Sequence, residues 1–182
     1  MQCFWDRGYT ATSVQDLIGR TGLTAASLYN AYGDKRAMFR TALGHYVDGG
    51  VHERMLRCET LPPRQAIETF FDEVLSRSLR DREHKGCMLV NSAVELAPHD
   101  PEFRKIIVGV LAHMEDFFRT CIAKGQADGT ISRVLPAEIL ARHLLGVLMG
   151  VRVLARVRPE RKLLEGVLGP ALSLLDPSAP RP

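Results

Sequence analysis

Thr12-Ser13-Val14-Gln15-Asp16-Leu17-Ile18-Gly19-Arg20-Thr21-Gly22-Leu23-Thr24-Ala25-Ala26-Ser27-Leu28-Tyr29-Asn30-Ala31-Tyr32-Gly33-Asp34 is the stretch that decides the fold. Thr12 and Gln15 have the capping-box spacing, ahead of the apolar pair Leu17 and Ile18. Thr21-Gly22-Leu23 is a turn around glycine. Thr24 can cap a second short helix from Ala25 to Tyr32, which Gly33 ends. Asp34 caps a third helix through Met38, Phe39, Ala42, Leu43 and Tyr46. A capped helix, a glycine turn and a second capped helix make a helix-turn-helix pattern. Val14, Leu17, Ile18, Leu23 and Leu28 are its predicted small core. The second helix can then offer its N-terminal side chains to a DNA major groove, while helix-start amides with Tyr and Lys side chains grip phosphates. The spacing by itself is common to many helical hairpins.

Downstream, the apolar residues repeat with helical spacing. Phe103, Ile107, Val110, Met114, Phe117, Phe118, Cys121 and Ile122 mark a long helix expected from Pro101 to near Gly129. Pro62-Pro63 opens another helix with Ala66, Ile67, Phe70, Phe71, Val74 and Leu75. Pro136 opens a third, carrying Leu140, Leu144, Leu148 and Val151, and a fourth follows Pro159. Pro170 is expected to kink or split that last helix near Gly169. No Asn-Gly or Asp-Gly sits between alternating strands, so the chain is read as all-α. The expected division is a helix-turn-helix domain at 1–46, a helical regulatory and dimerisation domain at 47–176, and a disordered tail at 177–182.

The bulk numbers agree with a globular protein: 182 residues, 46% hydrophobic, 25% charged. Basic residues number 24 against 21 acidic, a net charge of +3 that neither demands nor excludes a nucleic-acid partner. Cys3, Cys58, Cys87 and Cys121 are scattered without CxxC, which reads as reduced thiols. There is no apolar leader or membrane-length apolar run, so the expected compartment is the cytoplasm. The six histidines form neither HxH nor HExxH, and no metal or cofactor is expected. No GxSxG, P-loop or dinucleotide fingerprint is present, and the chain is not read as an enzyme.

Three further constellations each have two readings. Gly146 and Gly150 form a small-xxx-small spacing on an apolar helix. With Leu164 and Leu168 on the next helix they are candidates for a homodimer interface, or for an intrachain contact. Asn91 and Glu95 share a helix face, and His113 lies among apolar positions. With Met88 and Phe117 they are candidates for a ligand pocket, or for surface and core residues. Arg152, Arg156, Arg158, Arg161 and Lys162 form a basic cluster, either solvated and paired with Glu160 and Glu165 or facing an anionic ligand or partner.

The segments Gly8 to Ile18 and Thr21 to Phe39 resemble the opening of the TetR family of bacterial transcriptional repressors, most densely over Gly8 to Leu43. Ser27-Leu28-Tyr29, then Gly33-Asp34-Lys35 and an apolar pair, look like that family's signature. Gly86 to Leu96, Gly125 to Gly129 and Gly150 to Arg156 are similar to the regulatory domain of one branch. The resemblance implies that Thr24 caps the recognition helix and faces a phosphate. It puts Ala25, Ala26, Ser27 and Asn30 toward base edges or the backbone near them, has Tyr29, Lys35, Thr12 and Ser13 on phosphates, and makes Tyr32 and Phe39 packing residues. It also implies a two-fold dimer on double-stranded, palindromic operator DNA, released by a small-molecule effector. Two departures stand out. Family members usually have a longer first helix behind a basic arm, whereas here Gln2 to Arg7 remains; a mis-assigned start and a true truncation both fit. With Ala at 25 and 26, base reading rests on Ser27, Asn30, thymine-methyl contact and DNA shape.

The sequence therefore reads as a ligand-responsive repressor acting as a homodimer. Two alternatives remain: a ligand-binding dimer without DNA binding, and a small all-α enzyme using Glu95 or His113. The first predicts no salt-sensitive DNA affinity, the second turnover lost on Glu95→Gln.

Overall fold

The computed structural model describes residues 1–177. Residues 178–182, most of the expected tail, lie outside them. Its helices are α1 (Gln2–Arg7), α2 (Val14–Thr21), α3 (Ala25–Tyr32), α4 (Lys35–Tyr46), α5 (Glu53–Glu59), α6 (Pro63–Arg80), α7 (Met88–Glu95), α8 (Pro101–Asp128), α9 (Ala137–Val157) and α10 (Arg161–Ser173). Among the described residues there is no strand, as expected of an all-α chain.

The capping chemistry sets the first part. Ser13, not Thr12, caps α2: its Oγ accepts from Asp16 N (3.1 Å), and Asp16 Oδ2 accepts from Ser13 N (2.8 Å). The box is shifted by one residue because Ser13 directly precedes the first helical residue. Thr12 turns inward instead, fully buried, and its hydroxyl donates to the Gly8 carbonyl (2.6 Å). Gly22 ends α2 with φ +69°, a left-handed conformation that L side chains rarely adopt. Thr24 caps α3, with Oγ1 accepting from Ser27 N (3.1 Å), as the sequence predicts.

The small core consists of Leu17 and Leu28, closed by Phe4 and Met38. Leu23 and Tyr32, expected inside, are largely exposed. Leu23 lies on the outside of the turn after Gly22, and both residues edge an open groove beside Leu28.

From Lys35 to Glu59 the backbone is helical without a break. Its middle, Val47–His52, is a π-turn in which Glu53 N bonds to Asp48 O. The expected division after residue 46 thus falls inside a helical rod, and α4 passes directly into the larger body. There α6, α8 and α9 pack side by side, with α10 against α6 and α9. Phe71 and Phe118 stack at 5.5 Å, with Phe70 edge-on to both. α8 ends at left-handed Gly129, as the sequence predicts. α10 is not split. Pro170 removes one N–H near the C-terminal end, while buried Leu168, Ala171 and Leu175 hold the last turn against the body.

Phe118→Ala should lower stability by about 3–5 kcal/mol, the usual cost of deleting a buried ring. Urea unfolding followed by circular dichroism checks this. A lower midpoint at unchanged slope is expected.

Candidate functional site

The recognition helix α3 stands at the edge of the molecule. Ala26, Ser27, Tyr29 and Asn30 are exposed on it, and Ala25 is half-buried. Thr24 is exposed at its start, its Oγ1 2.9 Å from Ser27 Oγ. Free amides of the first turn and a row of small side chains therefore face outward, a shape that admits close approach of another backbone. Tyr29 projects its ring into solvent. Lys35 sits at the start of α4 with Nζ 4.5 Å over the Tyr9 ring. Ser13 is exposed at the start of α2, but Thr12 has no surface to offer a phosphate. Asp16 shares that helix start, where hydrogen bonds from Ser13 hold its carboxyl below the usual range and Arg7 pairs with it at 2.5 Å.

The cations of this part divide into two groups. Arg36 donates to Asp100 through Nε and Nη2 (both 3.0 Å) and to Glu102 through Nη1 (2.6 Å). Arg40 reaches Glu102 at 3.0 Å. These arginines clamp α4 to the start of α8, where Asp100 also caps the helix through Glu102 N and Phe103 N. Phe39 links the same places, 5.1 Å from Phe4 and 5.3 Å from Phe103. Phe39 is thus a packing residue, as the resemblance implies, and it joins the two parts as well. Of the five Arg and Lys residues between Cys3 and Tyr46, Arg20 and Lys35 are the two with no ion pair among the described residues.

The predicted pocket residues do not form one pocket. Met88 is sealed in the core, and Asn91 Nδ2 donates to the Lys85 carbonyl (2.9 Å). Glu95 accepts from the backbone N–H groups of Tyr9 (3.1 Å) and Thr10 (2.7 Å), so it holds the chain after α1. Gly8, at φ +83°, permits this, since a Cβ there would stand 2.6 Å from Glu95 Oε2. His113 is exposed, and with Phe117 it lines a separate cleft of about 440 Å³ near α5. Asn91 and Glu95 do share one surface cleft with Val94 and Arg156, but Met88 is in the core and α8 carries His113 and Phe117 to the other cleft.

The dimer candidates also divide. Gly146 and Gly150 have no heavy atom within 4 Å of where a Cβ would stand, so they face open space. Leu164 and Leu168 are already buried within the chain, where they hold α10 to the body. Leu163, Val167 and Leu172 are the half-buried apolar side chains of α10, and Leu174 just beyond its end is exposed.

Sequence spacing missed a cluster around Arg152. In the basic group, Arg158 pairs with Glu160 (3.0 Å) and Arg161 with Glu165 (2.9 Å), while Arg152 is buried. Its guanidinium donates to Ser78 Oγ (2.8 Å) and Gly86 O (3.1 Å). Trp5 Nε1 donates to the same Gly86 oxygen at 3.1 Å. Burial pushes the Cys87 thiol up, but the Arg152 charge and the Tyr46 hydroxyl outweigh it and draw the thiol below its ordinary value. The available signal was the apolar company of Arg152 between Val151 and Val153.

Among the described residues, no helix is long and apolar enough to cross a membrane, and no group of three or more His, Cys, Asp or Glu could hold a metal ion.

Comparison with known proteins bears on both parts. Residues 1–42 match the family described as bacterial regulatory proteins, tetR family. Residues 63–168 match the tetracyclin repressor-like C-terminal domain. The chain is 32% identical over 179 residues to an uncharacterized HTH-type transcriptional regulator, YezE, of Bacillus subtilis (strain 168), covering 97% of this chain and 92% of that protein. It is 28% identical to the HTH-type transcriptional repressor ComR of Escherichia coli (strain K12), covering 96% of this chain and 84% of the relative. Among solved structures it resembles a cysteine mutant of the TetR family transcriptional regulator CifR complexed with 26-bp operator DNA. There the TM-score is 0.83 and the identity 29%, over 95% of this chain and 91% of that one.

The clamp predicts a pH dependence. Hydrogen bonds from Arg36 hold Asp100 below its ordinary value, and those from Arg36 and Arg40 do the same for Glu102. Their stabilisation is therefore complete above the unfolded carboxylate pKa values, about 4, and is lost as pH falls through the lower folded values. Asp100→Asn keeps a cap oxygen but loses the charge. Its urea midpoint should lie below wild type at neutral pH, with the gap closing as pH drops below about 4. A gap constant with pH would refute the clamp.

Proposed function

The chain belongs to the tetR family of bacterial regulatory proteins, and from that premise we propose a repressor that binds palindromic operator DNA as a homodimer and leaves it when a small molecule occupies the helical body. The observation that carries this reading is the exposed, Thr24-capped α3 with Ala26, Ser27 and Asn30 facing outward. In this reading the first turn of α3 enters the major groove. Ala25 and Ala26 touch thymine methyls, and Ser27 and Asn30 meet base edges. Tyr29, Lys35, Ser13 and Thr24 hold phosphates, and Thr12 has no part in binding. With few cations left free, affinity leans on shape and helix-start amides. The expected compartment is the bacterial cytoplasm.

The homodimer is supported by α9. Ile139, His143, Gly146, Gly150, Val153 and Val157 recur at alternating steps of four and three, all exposed or half-buried. That is a heptad stripe with two glycines that let a partner helix come close. Leu163 and Val167 of α10 flank it. Two copies joined here would present two α3 helices to half-sites one turn of DNA apart. A ligand acts by favouring the spacing that fails to match the DNA, and must bind the two arrangements with different affinity.

Fluorescence anisotropy against the gene's own upstream DNA, with random duplex as control and across a salt series, tests the reading. Sequence-dependent binding that weakens with salt is expected. Asn30→Ala should cost about 1–3 kcal/mol on the operator and relax its sequence preference. Lys35→Met should weaken all duplexes alike and reduce the salt slope by about one. For the dimer, Gly146→Glu should shift sedimentation toward monomer with helicity unchanged. Binding indifferent to sequence, or a variant that stays dimeric, would count against the corresponding part.

A further inference from the structure

A cleft of about 560 Å³ opens between α1, the loop after α6, and α9. Arg77 and Arg152 line it, and the same two arginines line a void of about 30 Å³ that Phe70, Val74, Met114 and Leu148 also wall. Two guanidinium groups thus border both an open cleft and an apolar interior. Among the described residues, neither has a carboxylate within ion-pairing distance. Arg152 is held by a hydroxyl and a carbonyl, both neutral acceptors. Arg77 lies over the rings of Trp5 (5.4 Å) and Tyr46 (5.7 Å). The third arginine of the inner void, Arg54, does have its acid, Glu73 at 3.1 Å. The cleft lining adds Arg80 and Arg82 against two acids, Asp81, which accepts from Gly86 N (2.7 Å), and Glu83, which with Asp6 engages Lys85. Burying a cation without an opposite charge is costly, and besides those two neutral acceptors the protein offers Arg152 the Cys87 thiol and the Tyr46 hydroxyl.

We propose that this cleft binds a small organic carboxylate, its charged group on Arg77 and Arg152 and its apolar part against the Trp5 ring. This names the chemical class of the effector and rests on the reading that the protein is released from DNA by a small molecule. Paired guanidinium donors match the two oxygens of a carboxylate. The Trp5 ring on the cleft wall favours an organic acid over an inorganic anion. Occupancy also has a route to the DNA-binding part. Arg152 and Trp5 of α1 share the Gly86 carbonyl, so a carboxylate that draws Arg152 away changes the seat of α1.

Trp5 is the single tryptophan of the chain and lines the cleft, so its emission reports binding directly. The protein without DNA is titrated with benzoate and hexanoate, then with benzamide and hexanamide, neutral molecules of the same shape. At least one acid is expected to give a saturable change in Trp5 emission, with its amide at least about tenfold weaker. Arg77→Met, which keeps the apolar stem, should weaken acid binding by about tenfold with helicity unchanged, and Arg80→Met by much less. Three outcomes would overturn the proposal: no saturable change with either acid, equal binding of acid and amide, or unaltered binding in Arg77→Met. Inorganic phosphate competing as well as the organic acids would also overturn it, as a general anion site. Because these titrations contain no DNA, they stand apart from the operator assay. A protein that ignores DNA can still bind the acid, and a repressor that ignores the acid refutes this inference alone.

Discussion

Arg36 forks onto Asp100 and reaches Glu102, and Phe39 beneath it touches both Phe4 and Phe103. The remaining architecture depends on this junction. A helix-turn-helix of some forty residues buries little apolar surface by itself. Here it shares its aromatic column with the start of α8 and continues into the body through the helical run from α4 to α5. The polar and apolar contacts reinforce each other, because the Arg36 guanidinium lies 5.3 Å from the Phe103 ring while it holds the acids. The orientation of α3 is therefore tied to the body that would sense a ligand.

Three more contacts make the same connection from the other side. Glu95 accepts the N–H groups of Tyr9 and Thr10, Lys85 pairs with Asp6, and Trp5 donates to Gly86. All run from α1 or the turn after it to α7 or the loop before it. Each is a local hydrogen bond or ion pair at partly exposed positions, strong enough to fix a position and weak enough to be exchanged. A regulatory protein needs joints of that kind, since a ligand can move an equilibrium only by its differential affinity for the two states.

The basic residues illustrate how a charge count misleads. Five cations lie between Cys3 and Tyr46, but Arg7, Arg36 and Arg40 are occupied by acids of the chain itself. In the body, Arg158 and Arg161 are ordinary surface pairs, whereas Arg152, in the same run of sequence, is buried beside Cys87. Six positions separate the buried Arg152 from the solvated Arg158, and composition cannot tell them apart.

The sequence by itself determined the all-α class, the Thr24 cap, the glycine turn, the proline-opened long helices and the stop at Gly129. Each is set by residues within one or two turns of one another, where caps, left-handed glycines and apolar periodicity act. Tertiary structure decided which of two adjacent hydroxyls capped α2. It also turned Leu164 and Leu168 inward while leaving Gly146 and Gly150 open, sent Met88, Glu95 and His113 to three different tasks, and buried Arg152. Those outcomes depend on what packs against a helix face from elsewhere in the chain. Periodicity tells which residues share a face, but the direction that face points is fixed only when α1, α6, α7 and α9 meet around Gly86.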